Sequence, residues 1–278
     1  MTDAFTFERR RRALHGWLLL SPALIMLTAF AFYPSLATMA TSLWSRGTRR
    51  NPAEFVGLEN FRIAWAGAPW LRYFLNTFLL VSLILAGQFL LCTLAGFAFA
   101  QTEFRGRDAL FILVLMQLFI LPEVLIVENY RVAASLGLLD SILGIGAPYM
   151  ASAFGIFLMR QAFKSVPKDL DKATRVEGCG TLGVLWRVYV PAARPTYLAY
   201  ALVSVATHWN NFLWPLIVTN SPSTRPLTVG LSLFGAPENG VDISVISAAT
   251  VMVITPLLIS FLIFQRQFVQ AFLTAGVK

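Results

Sequence analysis

Six long apolar runs constrain the fold of this chain more than any other feature of its sequence. About 20 residues of α-helix span the hydrocarbon core of a bilayer, and each run approaches or exceeds that length. Lipid offers the backbone no hydrogen-bond partners, so each run must be helical. The sequence therefore predicts an all-α integral membrane protein with six transmembrane helices, at about 14–43, 74–100, 109–128, 142–163, 197–219 and 243–265.

The composition supports a membrane location and argues against nucleic acid as a partner. Of the 278 residues, 57% are hydrophobic and 13% are charged, whereas a soluble domain is about 25% charged. The net charge of +8 comes from basic residues at the ends of the apolar runs, where they set topology. Cys92 and Cys179 have no disulfide or metal-ligand spacing, and Cys92 is expected to pack in the core. No metal site and no catalytic site are predicted.

The beginning of the first run resembles a signal peptide. Arg9–Arg12 form a basic segment before it, and Ala29-Phe30-Ala31 resembles a cleavage site. The apolar run nevertheless continues through Tyr33-Pro34 to Trp44, well beyond the apolar part of a signal peptide. The prediction is an uncleaved first helix.

The distribution of Lys and Arg predicts the orientation in the membrane. Most of them fall on one side of the six predicted spans: Arg9–Arg12, Arg105, Arg107, seven residues between Arg160 and Arg194, Arg266 and Lys278. The positive-inside rule then places both termini in the cytoplasm, with 1–13 as a basic cytoplasmic N-terminus and 14–278 as the transmembrane domain. The first outer loop opposes this bias with five arginines: Arg46, Arg49, Arg50, Arg62 and Arg72.

A charged loop at about 164–195 separates the fourth and fifth runs. A helix is expected to start near Pro167, because proline is tolerated in a first helical turn. Asp171 and Arg175 then form an i,i+4 pair. Four other residues share a second face at helical spacing: Leu170, Ala173, Thr174 and Glu177.

A second short helix is expected after a sharp corner at Gly178 and Gly180. Thr181 is expected to cap it and Pro191 to end it. Its apolar stripe follows helical spacing: Leu182, Leu185, Trp186 and Tyr189. The small residues at the corner would let this loop enter a groove on a partner protein, and an amphipathic hairpin on the membrane surface explains the same pattern equally well.

This loop resembles the cytoplasmic EAA loop of permease subunits in ATP-binding-cassette (ABC) importers. Lys172-Ala173-Thr174 occupies the place of Glu-Ala-Ala, Glu177 that of the usual Asp, and Gly178 that of the family's Gly. Val190-Pro191 and Pro195 match the end of the pattern. Lys172 and Thr174 depart from it, and Asp171, one residue earlier, is a candidate to supply the missing acid from a different helical face.

Further segments carry the same resemblance along nearly the whole chain. They are Asn76-Thr77, Phe-Arg-Gly-Arg at 104–107, Trp-Asn-Asn-Phe-Leu-Trp-Pro-Leu at 209–216, and the tail at 264–269 and 274–276. The segment at 209–216 is typical of carbohydrate-type permeases. The tail resembles one member of a permease pair, and the first outer loop at 55–61 resembles the other member.

The resemblance implies a type I ABC importer permease fold, in which helices two to six form the core and the first helix wraps a partner. The implied partners are a second permease in a heterodimer, two ATP-binding subunits that use ATP and Mg, and an extracytoplasmic solute-binding protein. The implied contacts with the ATP-binding subunit are Asp171, Ala173, Arg175, Glu177, Gly178 and Leu182. The chain has no Walker motif, so it is expected to bind no nucleotide or other cofactor and to be non-catalytic.

Polar residues inside the apolar runs are candidates for the solute path, because they are costly in lipid. The candidates are Glu123, Glu128, Asn129, Asn210 and Asn211, with Gln117 and His208 nearby in sequence. Amides and carboxylates suit sugar hydroxyls, and Trp209 and Trp214 offer aromatic faces. Structural roles compete with this interpretation: Glu123 lies beside the Pro122 kink, His208 suits an interior position, and the two asparagines suit helix–helix hydrogen bonds.

Two other classes of protein fit less well. A secondary transporter would carry paired intramembrane charges and inverted repeats, and neither is found. A membrane enzyme would need a nucleophile–base or metal cluster, and the two histidines, His15 and His208, lie far apart in sequence. The solute itself stays open among glycerol phosphate, disaccharides, amino sugars and polyols.

Overall fold

The computed structural model describes the backbone of residues 2–47 and 52–276 and the side chains of 15–47 and 52–265. Several basic residues of the predicted charge bias have side chains outside these ranges: Arg9–Arg12, Arg49, Arg50, Arg266 and Lys278. Apart from one isolated antiparallel bridge between Trp44 and Phe55, the described backbone forms no β-structure. The all-helical prediction is confirmed for this part of the chain.

The α-helices of the described chain are numbered here in chain order. They are α1 (Thr2–Leu27), α2 (Tyr33–Thr41), α3 (Glu59–Ala66), α4 (Trp70–Gln101), α5 (Arg107–Met116), α6 (Ile126–Ser135), α7 (Ile142–Gly146), α8 (Ala153–Lys164), α9 (Lys168–Val176), α10 (Thr181–Val184), α11 (Val190–Ala192), α12 (Arg194–Trp209), α13 (Leu213–Val218), α14 (Leu227–Phe234) and α15 (Ile243–Gly276). Two π-helical turns, Thr28–Phe32 and Leu185–Tyr189, join α1 to α2 and α10 to α11. Helix α1 already begins at Thr2, so no helix boundary separates the basic N-terminus from the first apolar run.

Three helical stretches of the described chain are long and apolar enough to cross a membrane unbroken: His15–Thr41, Trp70–Gln101 and Ile243–Gln265. Two bent pairs bring this to at most five, with a bend of 94° between Arg107–Phe119 and Pro122–Ser135 and of 51° between Ile142–Tyr149 and Ala153–Lys164. The fifth apolar run divides into the 16 residues of α12 and the six of α13. All six runs are thus largely helical, but three of them are interrupted, and the number of six spans stays a prediction.

Both π-turns precede a proline by two residues. Thr28–Phe32 comes before Pro34, and Leu185–Tyr189 comes before Pro191. In each case the residue directly before the proline donates its N–H to the carbonyl five positions back. The wider turn makes room for the proline ring, which clashes with the i−4 carbonyl in a regular α-helix. The helix therefore continues to Ala192, and the prediction that Pro191 ends it is wrong.

The described chain divides into two compact units. One unit holds the residues up to Ala68 together with Phe234–Val253, and the other holds Pro69–Leu233 with the residues from Ile254 onward. In the first unit, the buried Asn60 amide donates to the carbonyls of Ser42 and Trp44, both at 3.0 Å. These bonds hold α3 against the end of α2.

The core of the second unit is the packing of α4 against α8. A Cβ at Gly96 would lie 2.7 Å from the Met159 Cβ, and one at Gly155 would lie 2.7 Å from the Cys92 sulfur. Glycine at these two positions is what permits the close approach of the helices. Cys92 is fully buried in this core, as the sequence predicts.

Asp140 joins two loops of the second unit at the end away from α9. Its Oδ1 accepts hydrogen bonds from the Asn220 N–H at 2.9 Å, the Ser221 N–H at 3.1 Å and the Thr224 hydroxyl. Asp140 itself has a φ of 54°, in the left-handed region that Asp tolerates better than most residues. The Thr224 hydroxyl, followed by the other donors, lowers the pKa of the Asp140 carboxyl well below its usual range.

Candidate functional site

The predicted corner of the charged loop is present between α9 and α10. Gly178 has a φ of 83°, and its N–H donates to the Arg175 carbonyl at 3.0 Å. The Cys179 N–H donates to the Thr174 carbonyl at 3.2 Å. This pair of bonds is a Schellman motif, in which a glycine ends a helix because it adopts the left-handed conformation without strain. A Cβ at Gly178 would meet nothing within 4 Å, so the corner is open to its surroundings.

Asp171 fastens α9 to the turn that follows α10. One carboxylate oxygen accepts from the Arg175 Nε, which confirms the predicted i,i+4 pair. The other accepts from the Tyr189 hydroxyl at 2.9 Å. Burial, together with this bond to a carboxylate, raises the pKa of Tyr189. Sequence analysis missed the contact, because no local pattern links residues 18 positions apart.

The Tyr189 ring anchors this fastening in the core. The ring is fully buried and lies edge-on to Phe97 and Phe163, with centroid distances of 5.2 and 5.7 Å. Such pairs add to the stability gained by burial alone. The position of α9 is therefore tied to α4 and α8 through a single tyrosine.

The outer face of the loop is apolar and small at its corner. Ala173, Glu177 and Gly178 are exposed, and so is Leu182 on α10. Val176, at 88% exposure, is the most exposed apolar side chain of the loop. Its place just before the glycine corner is a signal that sequence analysis overlooked. An uncovered apolar patch around an open glycine is typical of a docking surface.

The second loop helix differs from its prediction in two details besides Pro191. Gly180 occupies the N-cap position and Thr181 the first helical position, so Thr181 caps nothing. The predicted stripe is also divided, since Leu185 and Tyr189 are buried while Leu182 and Trp186 are exposed. Leu182 lies on α10, and the other three lie in the π-turn at Leu185–Tyr189.

A cavity of about 520 Å³ lies in the second unit, among the broken helices of the third to fifth runs. Its polar lining includes Gln117, Glu123 and Asn129 from one side and His208 and Asn211 from the other. Aromatic faces line it as well: Tyr149, Phe154, Tyr200 and Trp214. This volume is in the range of small-molecule pockets.

Two of the five residues predicted for the solute path lie away from this cavity. Glu128 pairs with Arg131 at 3.3 Å on an exposed face of α6. Asn210 donates from its side chain to the Ala206 carbonyl at 2.8 Å. The other three, Glu123, Asn129 and Asn211, are brought together at the cavity wall.

A buried hydrogen-bond network around Gln88 closes one side of the cavity. The Ser204 hydroxyl donates to the Gln88 Oε1 at 2.6 Å, and the Gln88 Nε2 donates to the Tyr149 carbonyl at 2.8 Å. The same Nε2 lies 3.2 Å from the His208 Nε2. Since an amide nitrogen only donates, His208 accepts through Nε2 and carries its proton on Nδ1. Sequence analysis missed Gln88 and Ser204, whose signal is a lone polar residue inside an apolar run.

His208 keeps one polar atom without a partner. Its side chain is 8% exposed, stacks on Tyr149 at a centroid distance of 4.9 Å and lines the cavity. Its Nδ1 has no hydrogen-bond partner among the described residues. A buried N–H without a partner is costly to the fold.

The charge of the cavity is also informative. Among its described lining residues, Glu123 is the one carboxylate, and no Lys or Arg occurs. Amides, hydroxyls and one carboxylate suit the hydroxyl groups of a neutral polar molecule. An anion would find no basic side chain on this wall.

Comparison with known families matches the architecture to membrane transport. A family model described as the inner membrane component of binding-protein-dependent transport systems matches residues 68–274. The arabinooligosaccharide transport permease AraQ of Bacillus subtilis (strain 168) is 31% identical over 212 residues, covering 76% of this chain and 75% of AraQ. The lactose permease LacG of Rhizobium radiobacter is 34% identical over 187 residues, 66% of this chain and 67% of LacG.

Other relatives are linked to acidic solutes. The sn-glycerol-3-phosphate permease UgpE of Yersinia pestis bv. Antiqua (strain Antiqua) is 31% identical over 206 residues, 73% of this chain and 72% of UgpE. Among solved structures, a bacterial ABC transporter for import of the acidic polysaccharide alginate superposes with a TM-score of 0.78 at 23% identity, covering 94% of this chain and 97% of its own. At that identity the likeness shows a shared fold and nothing about the solute.

Proposed function

The chain belongs to the family of inner membrane components of binding-protein-dependent transport systems, and as such it is a non-catalytic, multi-pass permease subunit of an ABC importer; we propose that its solute is a neutral sugar or sugar-like polyol. Family membership sets aside the alternative of a secondary transporter. The named solutes of the relatives include neutral sugars and glycerol phosphate.

The observation that carries the choice of solute is the lining of the cavity. Glu123, Asn129 and Asn211 offer acceptors and donors for hydroxyl groups, and no Lys or Arg lines this wall. Aromatic faces at Tyr149, Phe154, Tyr200 and Trp214 suit the apolar faces of a sugar ring. We assign Glu123, Asn129 and Asn211 to the solute path, and we leave out Glu128 and Asn210, which lie away from the cavity.

The partners we propose follow from membership of the family. A second permease completes the path, two ATP-binding subunits supply energy from ATP and Mg, and an extracytoplasmic binding protein delivers the solute. The alginate transporter with a similar fold has been solved with a periplasmic protein bound to alginate pentasaccharide, which supports the last of these partners. The span His15–Thr41 has no residue buried within the described chain, which supports its role in wrapping the second permease.

We propose six spans with both termini in the cytoplasm, the basic residues 1–13 at the inner surface, and the loop at 164–195 as the coupling loop. Its contact face consists of Ala173, Glu177, Gly178 and Leu182. Asp171 and Arg175 hold that face in place, because both carboxylate oxygens of Asp171 are already bonded within the chain. Closure of the ATP-bound subunits would move the loop as a rigid body and so link nucleotide state to solute access.

The proposal is tested by reconstitution of the chain with its partner permease, the ATP-binding subunits and the binding protein in proteoliposomes. Uptake of labelled neutral oligosaccharide is compared with uptake of a uronate oligosaccharide and of glycerol phosphate. The expected result is ATP-dependent uptake of the neutral solute. Uptake of the anions alone would overturn the choice of solute, and the absence of any stable ATP-binding partner would overturn the coupling role.

A further inference from the structure

A second cavity, of about 500 Å³, is lined by one face from each of three helical segments. Helix α4 contributes four residues at helical spacing: Ala86, Phe89, Leu90 and Thr93. Helix α12 contributes Arg194, Tyr197 and Leu198, and the helix after the loop corner contributes Trp186 and Val190. The cavity is a groove between helices, and it is separate from the solute cavity.

The walls of this groove are apolar. The Thr93 and Tyr197 hydroxyls are hydrogen-bonded to each other, so neither needs a ligand. Phe89 lies edge-on to Tyr197, with a centroid distance of 5.3 Å. Leu90 and Leu198 are about half exposed along the groove. From Ala86 to Thr93 the wall extends over about 10 Å of helix, enough for part of an acyl chain.

One end of the groove carries positive charge without compensation. Arg194 is the first residue of α12, and the first turn of that helix contains no acidic residue. Arg194 forms no ion pair with any residue that the structure describes. The positive end of the helix dipole adds to its charge, so this end of the groove favours an anion. Trp186 also lines the groove and is half exposed, as is typical of a membrane interface.

We propose that this groove binds one phospholipid with an anionic headgroup. Its phosphate lies on Arg194 and the start of α12, and one acyl chain lies along Phe89, Leu90 and Leu198. The choice of the inner leaflet rests on the orientation given under Proposed function, in which the start of α12 is at the cytoplasmic side. Basic pockets between transmembrane helices on that side are known sites for anionic lipids.

The position of the groove links this lipid to the coupling loop. Trp186 and Val190 lie in the helix that follows the loop corner, and Tyr189 between them bonds to Asp171. A lipid that packs on Trp186 and Val190 therefore supports the segment that holds α9. We infer that the lipid strengthens the coupling of ATP hydrolysis to transport.

The test uses the assembled complex with both permeases and both ATP-binding subunits. Bound phospholipid is identified by native mass spectrometry after exchange into detergent, for wild type, Arg194→Gln and Arg105→Gln. Arg105 is an exposed arginine that lines no groove, which makes it the matched control. We expect wild type and the control to retain an anionic phospholipid and Arg194→Gln to bind it about fivefold more weakly, as for the loss of one basic contact. Equal retention in all three would overturn the proposal.

A second variant addresses the groove itself. Ala86→Trp fills the apolar part and leaves Arg194 in place, so it should also exclude the lipid. If Ala86→Trp loses the second permease and wild type holds no lipid, the groove receives a helix of that permease, and the lipid proposal fails.

An experiment in nanodiscs distinguishes the two possible sources of the anion, a phospholipid headgroup and free phosphate. ATPase activity stimulated by the binding protein is compared in phosphatidylcholine, in phosphatidylcholine with phosphatidylglycerol, and in phosphatidylcholine with inorganic phosphate. Stimulation is expected with phosphatidylglycerol and not with phosphate. Rescue by free phosphate alone would replace the lipid with a simple anion. Lipid retention is measured without reference to transport, so failure of the importer assignment and failure of the lipid site give different results.

Discussion

The Tyr189 hydroxyl donates a hydrogen bond of 2.9 Å to Asp171 and thereby connects the buried aromatic core to the exposed first helix of the charged loop. The acceptor carboxylate also receives the Arg175 guanidinium, so its two oxygens are both bonded. A force applied to α9 is therefore transmitted to Phe97 on α4 and Phe163 on α8 through one ring. This is a short mechanical route from a docking surface to the helices of the permease.

Tyr189→Phe tests that route because it removes the hydroxyl and keeps the ring. A hydrogen bond to a charged group contributes about 1.5–3 kcal/mol, so α9 should detach more often. The expected result is trypsin cleavage after Lys172 and Arg175 roughly tenfold faster in the purified complex, since 1.4 kcal/mol corresponds to a factor of about ten. Asp169→Asn is the control, because the contact of Asp169 with Lys172 is 3.8 Å long and exposed. Unchanged cleavage in Tyr189→Phe would show that the bond does not hold α9.

Gly178→Trp tests the corner as a docking surface. A Cβ at a φ of 83° strains the backbone by about 1–2 kcal/mol, and Gly178→Ala introduces the same strain without bulk. We expect the Ala variant to co-purify with the ATP-binding subunit and the Trp variant, still inserted and still paired with the second permease, to lose it. Retention of the subunit by both variants would place the docking surface elsewhere.

Glu123→Gln tests the solute cavity. Glu123 is the one carboxylate on the described wall of this cavity, and its replacement removes a charged acceptor for sugar hydroxyls. We therefore expect the rate of uptake to fall by a factor of about ten to a hundred. Initial rates of uptake in proteoliposomes check this, with association of the ATP-binding subunit as the test of assembly. Glu128→Gln, whose carboxylate pairs with Arg131 away from the cavity, is expected to transport normally. Equal loss in both variants would contradict the assignment of Glu123.

The loop corner was predictable from sequence because its determinants are local. Gly178 follows nine helical residues that include an i,i+4 ion pair, and both the pair and the left-handed glycine are present. The two π-turns were not predictable from sequence. Apolar positions are assigned to a helix face with the α-helical period of about 3.6 residues, and a π-turn adds one residue to that period. Leu182 and Leu185 were expected on one face at helical spacing, but the first is exposed and the second is buried.

The cavity could be predicted only in part. Polar residues inside apolar runs identify candidates, and three of the five predicted path residues line the cavity. The fold decides which of these candidates lie close together, through contacts between residues that are far apart in sequence. One example is the hydrogen bond from Ser204 to Gln88, which are 116 positions apart. Glu128 illustrates the limit, because it is adjacent to Asn129 but lies about 100° away around the helix, where it pairs with Arg131.

Gln88→Leu tests whether the buried network stabilises the fold. The change leaves the Ser204 hydroxyl, the Tyr149 carbonyl and the His208 Nε2 without their partner. Each unsatisfied buried group costs about 1–3 kcal/mol, so the melting temperature of the purified complex should fall by several degrees. Gln265→Leu, at an exposed position where the amide bonds only to the Leu262 carbonyl, is the control and should melt as wild type does. A wild-type melting temperature for Gln88→Leu would exclude a structural role for the network.

Asp140 makes a prediction about pH. Its pKa is lowered in the folded protein, chiefly by the Thr224 hydroxyl, so the ionised form stabilises the fold. That contribution is fully present above the ordinary Asp value of about 3.9 and is lost as the pH falls through the lower folded value. Wild type should therefore have a higher melting temperature than Asp140→Asn at neutral pH. This difference in melting temperature should shrink as the pH falls below about 4. Thr224→Val removes the main cause of the shift, so it should melt below wild type at neutral pH and lose less stability than wild type as the pH falls. If the difference in melting temperature stays constant across this pH range, the charge of the Asp140 carboxylate does not stabilise the fold.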